Sequence, residues 1–344
     1  MASVNSPPES LSQKRPTTAR RRAVLIGLVV GVPVSVLFLW LAVKSTDLGA
    51  VWRTLKAAHP GELVGAVIAM GLVYVVQAFR WRVIADGRAS RGRYVELVVS
   101  GVAANNVLPG RLGDGLRGVW LARAEKITSG RALATVVFDR AADVVALVVL
   151  LAISLPFTVR PAWLVKVGVG GVALAVLIAG FLVAAHVVAR VHERADRARS
   201  RARRVARDLL DGLSEPPSVG RIAVALALSL VAWSIWSLGA WLVAQSLQID
   251  LSVLDALLVA AVINLGVAIP SSPGFVGTYQ WLGVSTLSLL RIDRENALSF
   301  AILLHASWFV PTTVAGGAIL AFRLHSRRTS PSADATADER PQDA

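Results

Sequence analysis

The sequence predicts an all-α fold, a polytopic integral membrane helical bundle, and three observations carry that prediction. Of its 344 residues, 55% are hydrophobic and only 17% charged, with a mean hydropathy of +0.60, far more apolar than a soluble domain. Apolar runs of about 20 residues, the length that crosses a bilayer, recur from residue 23 to residue 322. Two apolar runs are broken in the middle, at residues 101–117 and 268–277, by Pro, Gly and polar side chains. A break frees backbone groups that lipid cannot satisfy, so it survives in a membrane only beside protein or a wet cavity. Paired breaks in the two halves of a chain point to a binding site.

Composition narrows the chemistry. With no cysteine, disulfides, thiolate catalysis and Cys-based metal sites are excluded. The five His show no HExxH or comparable spacing, and no GxxxxGK[ST] nucleotide loop is present. No metal or cofactor is expected, and no catalytic constellation marks an enzyme. A formal net charge of +14 would suggest nucleic acid in a soluble chain. Here the Arg and Lys sit largely in loops beside apolar runs, where they orient the protein and meet anionic headgroups. The expected partners are therefore membrane lipids, and nucleic acid is not one.

Residues 1–22, rich in Ser, Pro and Thr and ending in Arg20, Arg21 and Arg22, read as a disordered cytoplasmic tail without a cleavable signal. Residues 23–43 form the first crossing, with Trp40 near its far end. The loop 44–61 is then external, and residues 63–84 return to a cytoplasmic cluster of Arg80, Arg82, Arg88, Arg91 and Arg93. Residues 94–108 are apolar but reach only roughly 22 Å of a ~30 Å core, and residues 114–125 are amphipathic. The pair reads as a re-entrant hairpin entering from the cytoplasm, with Asp114 capping the second limb and Arg117, Arg123 and Lys126 keeping its end inside.

Residues 131–155 cross outward and 167–185 return. The segment 190–207, with eight Arg, reads as an exposed helix in a basic cytoplasmic loop, 190–218, between the halves. Residues 222–247 cross outward and carry Trp233, Trp236 and Trp241, which fit either a lipid belt or internal packing. No charge occurs in the 35 residues 256–290, too many for one straight crossing. Pro270, Pro273, Gly274 and Gly277 divide them into two short limbs entering from outside, with Ser272 and Pro273 as N-cap and N1 of the second. Residues 297–322 make the last crossing, with His305 its only ionisable group, and Arg323, Arg327 and Arg328 end it inside. Residues 326–344 form a second disordered tail.

The scheme is one membrane domain over residues 23–325, with both termini cytoplasmic in a cell (inner) membrane. It has about six full spans plus two re-entrant broken hairpins, or eight spans if every limb crosses. The hairpins enter from opposite sides, each between two oppositely directed crossings, which is the pattern of an inverted repeat. Residues 105–117 and 270–277 should then approach one another near the bilayer centre.

Asp139, Arg140 and Asp143 lie inside the 131–155 crossing. The two acids share a helix face at i,i+4, and Arg140 reaches Asp143 at i,i+3. Intramembrane charges face a bundle interior or a wet cavity. They fit either a buried ion pair that locks two helices or the polar wall of a path. Two acids and one base do not neutralise within the segment, which favours the second.

Three motifs in order, Asn105-Asn106-Val-Leu-Pro109-Gly-Arg111-Leu-Gly113-Asp114-Gly-Leu-Arg117, Asp139-Arg140-Ala-Ala-Asp143 and Ile269-Pro270-Ser-Ser-Pro273-Gly274-Phe-Val-Gly277, resemble the flippase-like family known as the lysylphosphatidylglycerol synthase transmembrane region. The resemblance covers about residues 23–325. Asp139 stands where the family usually has Glu, and Gln280 where an acidic residue is common. In the best-known members this module is joined to a cytoplasmic aminoacyl-transferase domain and moves the modified phospholipid between leaflets. No stretch of this sequence outside the membrane is long enough to fold such a domain, so lysyl transfer is not expected.

The resemblance implies a lipid transporter, flippase- or scramblase-like, for an anionic or modified phospholipid or a polyprenyl-phosphate-linked lipid. A phosphate crossing a low-dielectric slab must be paired. Limbs starting at Asp114 and Ser272 would aim free N–H groups at it, and Arg111, Arg117 and Arg140 offer bidentate partners. Asn105 and Asn106 are placed to bond headgroup hydroxyls or exposed carbonyls, while Asp139 and Asp143 hold Arg140 or compete for it. Pro109, Gly113, Pro270, Pro273, Gly274 and Gly277 shape the turns. Two alternatives remain: a membrane-embedded glycosyltransferase using Asp47 and Glu62, and a scaffold for a separate lipid- or glycolipid-modifying enzyme.

Overall fold

Among the described residues, helix caps and breaks give eleven α-helices and no strand: α1 (Thr18–Val43), α2 (Leu48–Lys56), α3 (Pro60–Ala85), α4 (Arg91–Val107), α5 (Leu112–Glu125), α6 (Ser129–Ser154), α7 (Arg201–Ser214), α8 (Val219–Ser246), α9 (Val253–Gly266), α10 (Thr278–Leu289) and α11 (Arg294–Thr329). The structure, a computed structural model, describes residues 18–108, 111–158, 201–267 and 271–329. Both predicted tails apart from their helical ends, the 167–185 crossing, residues 190–200 of the Arg-rich segment, Pro109 and Pro270 lie outside the described residues. The starts follow from side-chain acceptors. Ser90 accepts from the Arg93 N–H and Thr128 from the Arg131 N–H, and Ser252 and Asp255 form a reciprocal capping box.

Among the described residues, three helices are long and apolar enough to cross a membrane: α3, α8 and residues 294–323 of α11. The bent pair α1–α2 makes a fourth by length and composition, its two parts meeting at 84°. The predicted 131–155 crossing is α6, as long as α3 at 26 residues but charged in its middle. The predicted external loop 44–61 contains α2, with Asp47 capping it through the Gly49 N–H at 2.8 Å. On the outer faces, Val64, Ile68 and Leu72 of α3 and Val145, Val149 and Ile153 of α6 are exposed. Such i,i+4 apolar rows suit contact with lipid rather than water.

Contacts at the two ends fix the directions of α3 to α6 and of α8 to α11. At one end Glu125 accepts from the N–H groups of Arg88 and Ala89, each at 3.0 Å, and from the Tyr94 hydroxyl at 2.9 Å. Partial burial pushes the Glu125 carboxyl up, but those backbone and hydroxyl donors outweigh it and hold it below the ordinary carboxylate range. Arg221 at the start of α8 pairs with Asp86 at 3.1 Å at the same end. At the other end the His59 N–H reaches the Ser246 carbonyl at 2.8 Å, and Arg294 reaches the Leu41 carbonyl at 3.0 Å. The α4–α5 pair thus leaves and re-enters the first end, which is rich in Arg, and α9–α10 leaves and re-enters the second. Their limbs, 17, 14, 14 and 12 residues long, reach at most about 26 Å at ~1.5 Å per residue, short of a ~30 Å core.

The packing is reciprocal. α3 runs against α8, while the first limb of each hairpin packs on the closing helix of the other unit, α4 on α11 and α9 on α6. Within each unit the correspondence continues, since α4 lies on α3 as α9 lies on α8, and α5 on α6 as α10 on α11. This reciprocal contact pattern, with the two units α3–α6 and α8–α11 running in opposite directions, is the one expected of an inverted repeat.

Candidate functional site

The first break forms its turn through backbone geometry. Arg111 lies in the left-handed region (φ 54°, ψ 34°), and Arg111, not Asp114, is the N-cap of α5. A Cβ on Gly113 would stand 2.0 Å from the Gly101 carbonyl oxygen, so only glycine lets α5 approach α4 this closely. Asp114 falls in the first turn of α5, and its carboxylate is taken by arginines. Arg140 holds it in a bidentate fork, Nη2 to Oδ1 at 2.7 Å and Nε to Oδ2 at 3.2 Å, and Arg117 Nε lies 3.3 Å away.

The charges of α6 extend this pair into a closed network. Arg80 of α3, fully buried, donates from Nε to Asp139 at 2.8 Å, from Nη2 to Asp143 at 3.1 Å and from Nη1 to Ser229 at 2.8 Å, with a further bond from Nη1 to Asp143. Arg117 donates to Asp139 at 2.8 Å, and its guanidinium stacks over Trp81 at 4.7 Å. Trp233 Nε1 donates to Asp143 at 2.8 Å. The result is three Asp (114, 139, 143) facing three Arg (80, 117, 140), contributed by α3, α5 and α6. The charge left over by the α6 sequence is therefore neutralised by Arg80, Asp114 and Arg117. Asp139 is wholly buried and pairs with Arg80 and Arg117, not Arg140, so it is a lock rather than an exposed wall.

In front of this network a half-open cavity of about 390 Å³ separates the two hairpin tips. It is lined by Asn105, Asn106, Arg111 and Asp114 from the first hairpin, Arg140 and Asp143 from α6, and Asn264, Val267, Phe275 and Tyr279 from the second. Arg111 joins the tips, donating from Nη2 to the Val267 carbonyl at 2.7 Å and lying over the Phe275 ring at 5.5 Å. Among the described residues no carboxylate lies within ion-pair distance of it. Asn106 donates to Thr313 at 2.8 Å and Thr312 at 3.2 Å, beside Pro311 of α11. The side-chain oxygens of Asn105 and Asn106 are buried and have no hydrogen-bond partner among the described residues.

The second tip is built without charge. Ser272 and Pro273 begin a single 3-10 turn, Pro273–Phe275, and not the second limb. The limb α10 begins at Thr278 after Gly277, whose N–H donates to Gln280 Oε1 at 2.7 Å. Gln280 in turn meets His305 Nδ1 at 2.9 Å, and His305 stacks on Tyr279 with ring centroids 4.5 Å apart. Gly274 and Gly277 have φ of +70° and +89°, and a Cβ on Gly277 would stand 2.1 Å from the Ser35 carbonyl oxygen of α1. The Ser272 N–H donates to Ser35 Oγ at 2.7 Å, so α1 closes this turn.

Of the residues the sequence singled out, Asn105, Asn106, Arg111, Asp114, Arg140 and Asp143 come together on the cavity, while Arg117 and Asp139 lie behind it and Gly113, Ser272, Pro273, Gly274 and Gly277 shape its rims. Arg80, Ser229 and Trp233 were missed as members of the network, and Gln77, Asn264 and Tyr279 as cavity walls. Trp233 and Trp236 are buried against the cavity and do not form a lipid belt. Asp47 and Glu62 sit away from the cavity, and Asp47 is occupied as the α2 cap with Arg53 3.7 Å away.

Comparison with known proteins agrees with this architecture. The chain is 26% identical over 206 residues to the UPF0104 membrane protein MJ1078 of Methanocaldococcus jannaschii, which covers 58% of this chain and 85% of that protein. Residues 24–316 match the family described as lysylphosphatidylglycerol synthase TM region, and with the match spanning both broken hairpins and the Arg–Asp network between them, the chain belongs to that family.

Proposed function

We propose that this protein moves a lipid with a phosphate-bearing headgroup between leaflets, and that the headgroup sits between the two hairpin tips. The observation that carries this reading is Arg111. The arginines of the adjoining network spend their charge on Asp114, Asp139 and Asp143, whereas Arg111 lines the cavity with a carbonyl and an aromatic face as its partners. A phosphate oxygen would exchange for the neutral Val267 carbonyl and form a charge-assisted bond, roughly twice as strong as a neutral one. Arg140, its side chain 37% exposed, stands next in line, able to trade part of its hold on Asp114 for the lipid. The unpartnered Asn105 and Asn106 oxygens would accept from headgroup hydroxyl or amine groups.

A cavity of about 390 Å³ is at the small end of ligand pockets, which run from ~300 to 1,000 Å³. It suits a headgroup whose acyl chains stay in the surrounding lipid. The family match supports a membrane protein of this kind, and the Arg-rich end is read as cytoplasmic, in a cell (inner) membrane, by the positive-inside rule. A membrane-embedded glycosyltransferase finds no support at Asp47 or Glu62.

Reconstitution tests the reading. In vesicles carrying fluorescent phosphatidylglycerol in one leaflet, the purified protein should make label accessible from the other side faster than in protein-free vesicles, and faster than for phosphatidylcholine. Equal rates with and without protein for both lipids would end it.

A further inference from the structure

A second cavity, of about 310 Å³, opens at the Arg-rich end, away from the hairpin tips. Its walls come from α4 (Arg93, Glu96, Leu97, Ser100), α5 (Trp120, Arg123) and α11 (Leu320, Arg323). Glu96 organises two of the cations, accepting from Arg93 at 3.0 Å and pairing with Arg323. Arg123 is exposed and, among the described residues, has no ion-pair partner. Three guanidinium groups against one carboxylate leave the rim with an excess charge of about two, and below it Leu97, Trp120 and Leu320 are apolar. A charged rim above an apolar wall matches the two-part chemistry of a lipid, anionic at one end and aliphatic beyond. Free phosphate or a sugar phosphate would leave the indole and the leucines without a partner.

We infer that this pocket is a second lipid site, which holds an anionic phospholipid with its phosphate between Arg123 and the Arg93–Glu96–Arg323 cluster and one acyl chain along Trp120 and Leu320. It is independent of the central cavity, sharing no lining residue with it. Its three walls are the two limbs of the first hairpin and the helix on which α4 packs. A lipid seated there would tie the base of the first hairpin to α11, and it would do so whether or not the central cavity transports anything.

Native mass spectrometry of the full chain in mild detergent, titrated with dioleoyl phosphatidylglycerol, tests the assignment. Arg123→Gln removes an exposed, unpaired cation and should leave the fold intact. It is expected to weaken binding of one phosphatidylglycerol by about tenfold, the loss of one charge-assisted contact, while phosphatidylcholine binding does not change. Arg111→Gln, in the central cavity, should keep that lipid. Glycerol 3-phosphate at the same concentration should not displace it, and Trp120→Ala should weaken it further. Wild-type phosphatidylglycerol binding by Arg123→Gln, loss of all bound lipid in Arg111→Gln, or full displacement by glycerol 3-phosphate would each overturn the inference.

Discussion

The two broken hairpins occupy equivalent places in an inverted pair of helical units, yet they are built from opposite chemistry. The tip of the first carries Asn105, Asn106, Arg111, Asp114 and Arg117, and it is anchored through Asp114 and Arg117 to the charged face of α6. The tip of the second carries no charge, and is anchored by backbone N–H groups to Ser35 and Gln280 and by Tyr279 stacked on His305. The two hairpins share a place in the contact pattern but not a side-chain chemistry. One hairpin brings the cation to the cavity, and the other holds that cation with a carbonyl and an aromatic ring.

The comparison is sharpest where the anchors are removed. Asp139→Asn takes one carboxylate out of a buried network of three Asp and three Arg, leaving Arg80 and Arg117 under-compensated. Breaking a buried pair on one side costs about 3–5 kcal/mol, so this variant should lose most of its folded yield and unfold earliest in a denaturant titration in detergent. Gln280→Leu, the corresponding change in the second hairpin, strands only the Gly277 N–H and one His305 nitrogen, a cost of about 1–3 kcal/mol. Near-equal destabilisation of the two variants would contradict the division between a charged and a neutral anchor.

The glycines at the tips matter in both hairpins, Gly277 the more because its φ is +89°. Gly113→Ala meets the Gly101 carbonyl and Gly277→Ala the Ser35 carbonyl, at 2.0 and 2.1 Å. Both should destabilise, each by at least the ~1–3 kcal/mol typical of overpacking. Thermal unfolding at wild-type values for either would remove the close approach inferred there.

The smallest effect belongs to the base of the first hairpin. Glu125 has its pKa depressed in the folded state, so its contribution is present above the unfolded value of about 4.3 and is lost as pH falls through the folded value. The gap in unfolding temperature between wild type and Glu125→Gln should therefore be steady above about pH 5 and close as pH drops below ~4. A gap that widens on acidification would reverse the assignment.

Much of this was legible in the sequence because lipid makes backbone accounting strict. Pro and Gly inside apolar runs too short or too long for one crossing gave both hairpins, and the bundle with its opposed breaks followed. What escaped were features set by tertiary partners. Arg80 stands two residues from Arg82 and reads as part of the basic cluster at the cytoplasmic end of a crossing. Only its pairing with Asp139 and Asp143, 59 and 63 residues away, makes it the centre of the network. The caps failed for the same reason. Asp114 and Ser272 are good N-cap residues, but the carboxylate of one is claimed by Arg140, and the other is followed by a 3-10 turn against α1. α2 went unseen because an amphipathic helix of nine residues lies inside what its length alone marks as a loop.

The central claim is that the headgroup meets Arg111 between the two tips, and Arg111→Gln tests it most directly in vesicles. Because Arg111 is exposed at the cavity and tied by a single hydrogen bond to a neutral carbonyl, its loss should change stability by less than about 1 kcal/mol. The same variant should slow phosphatidylglycerol exchange by about tenfold or more, the worth of a charge-assisted contact. Exchange at the wild-type rate by a stably folded Arg111→Gln protein would contradict the account.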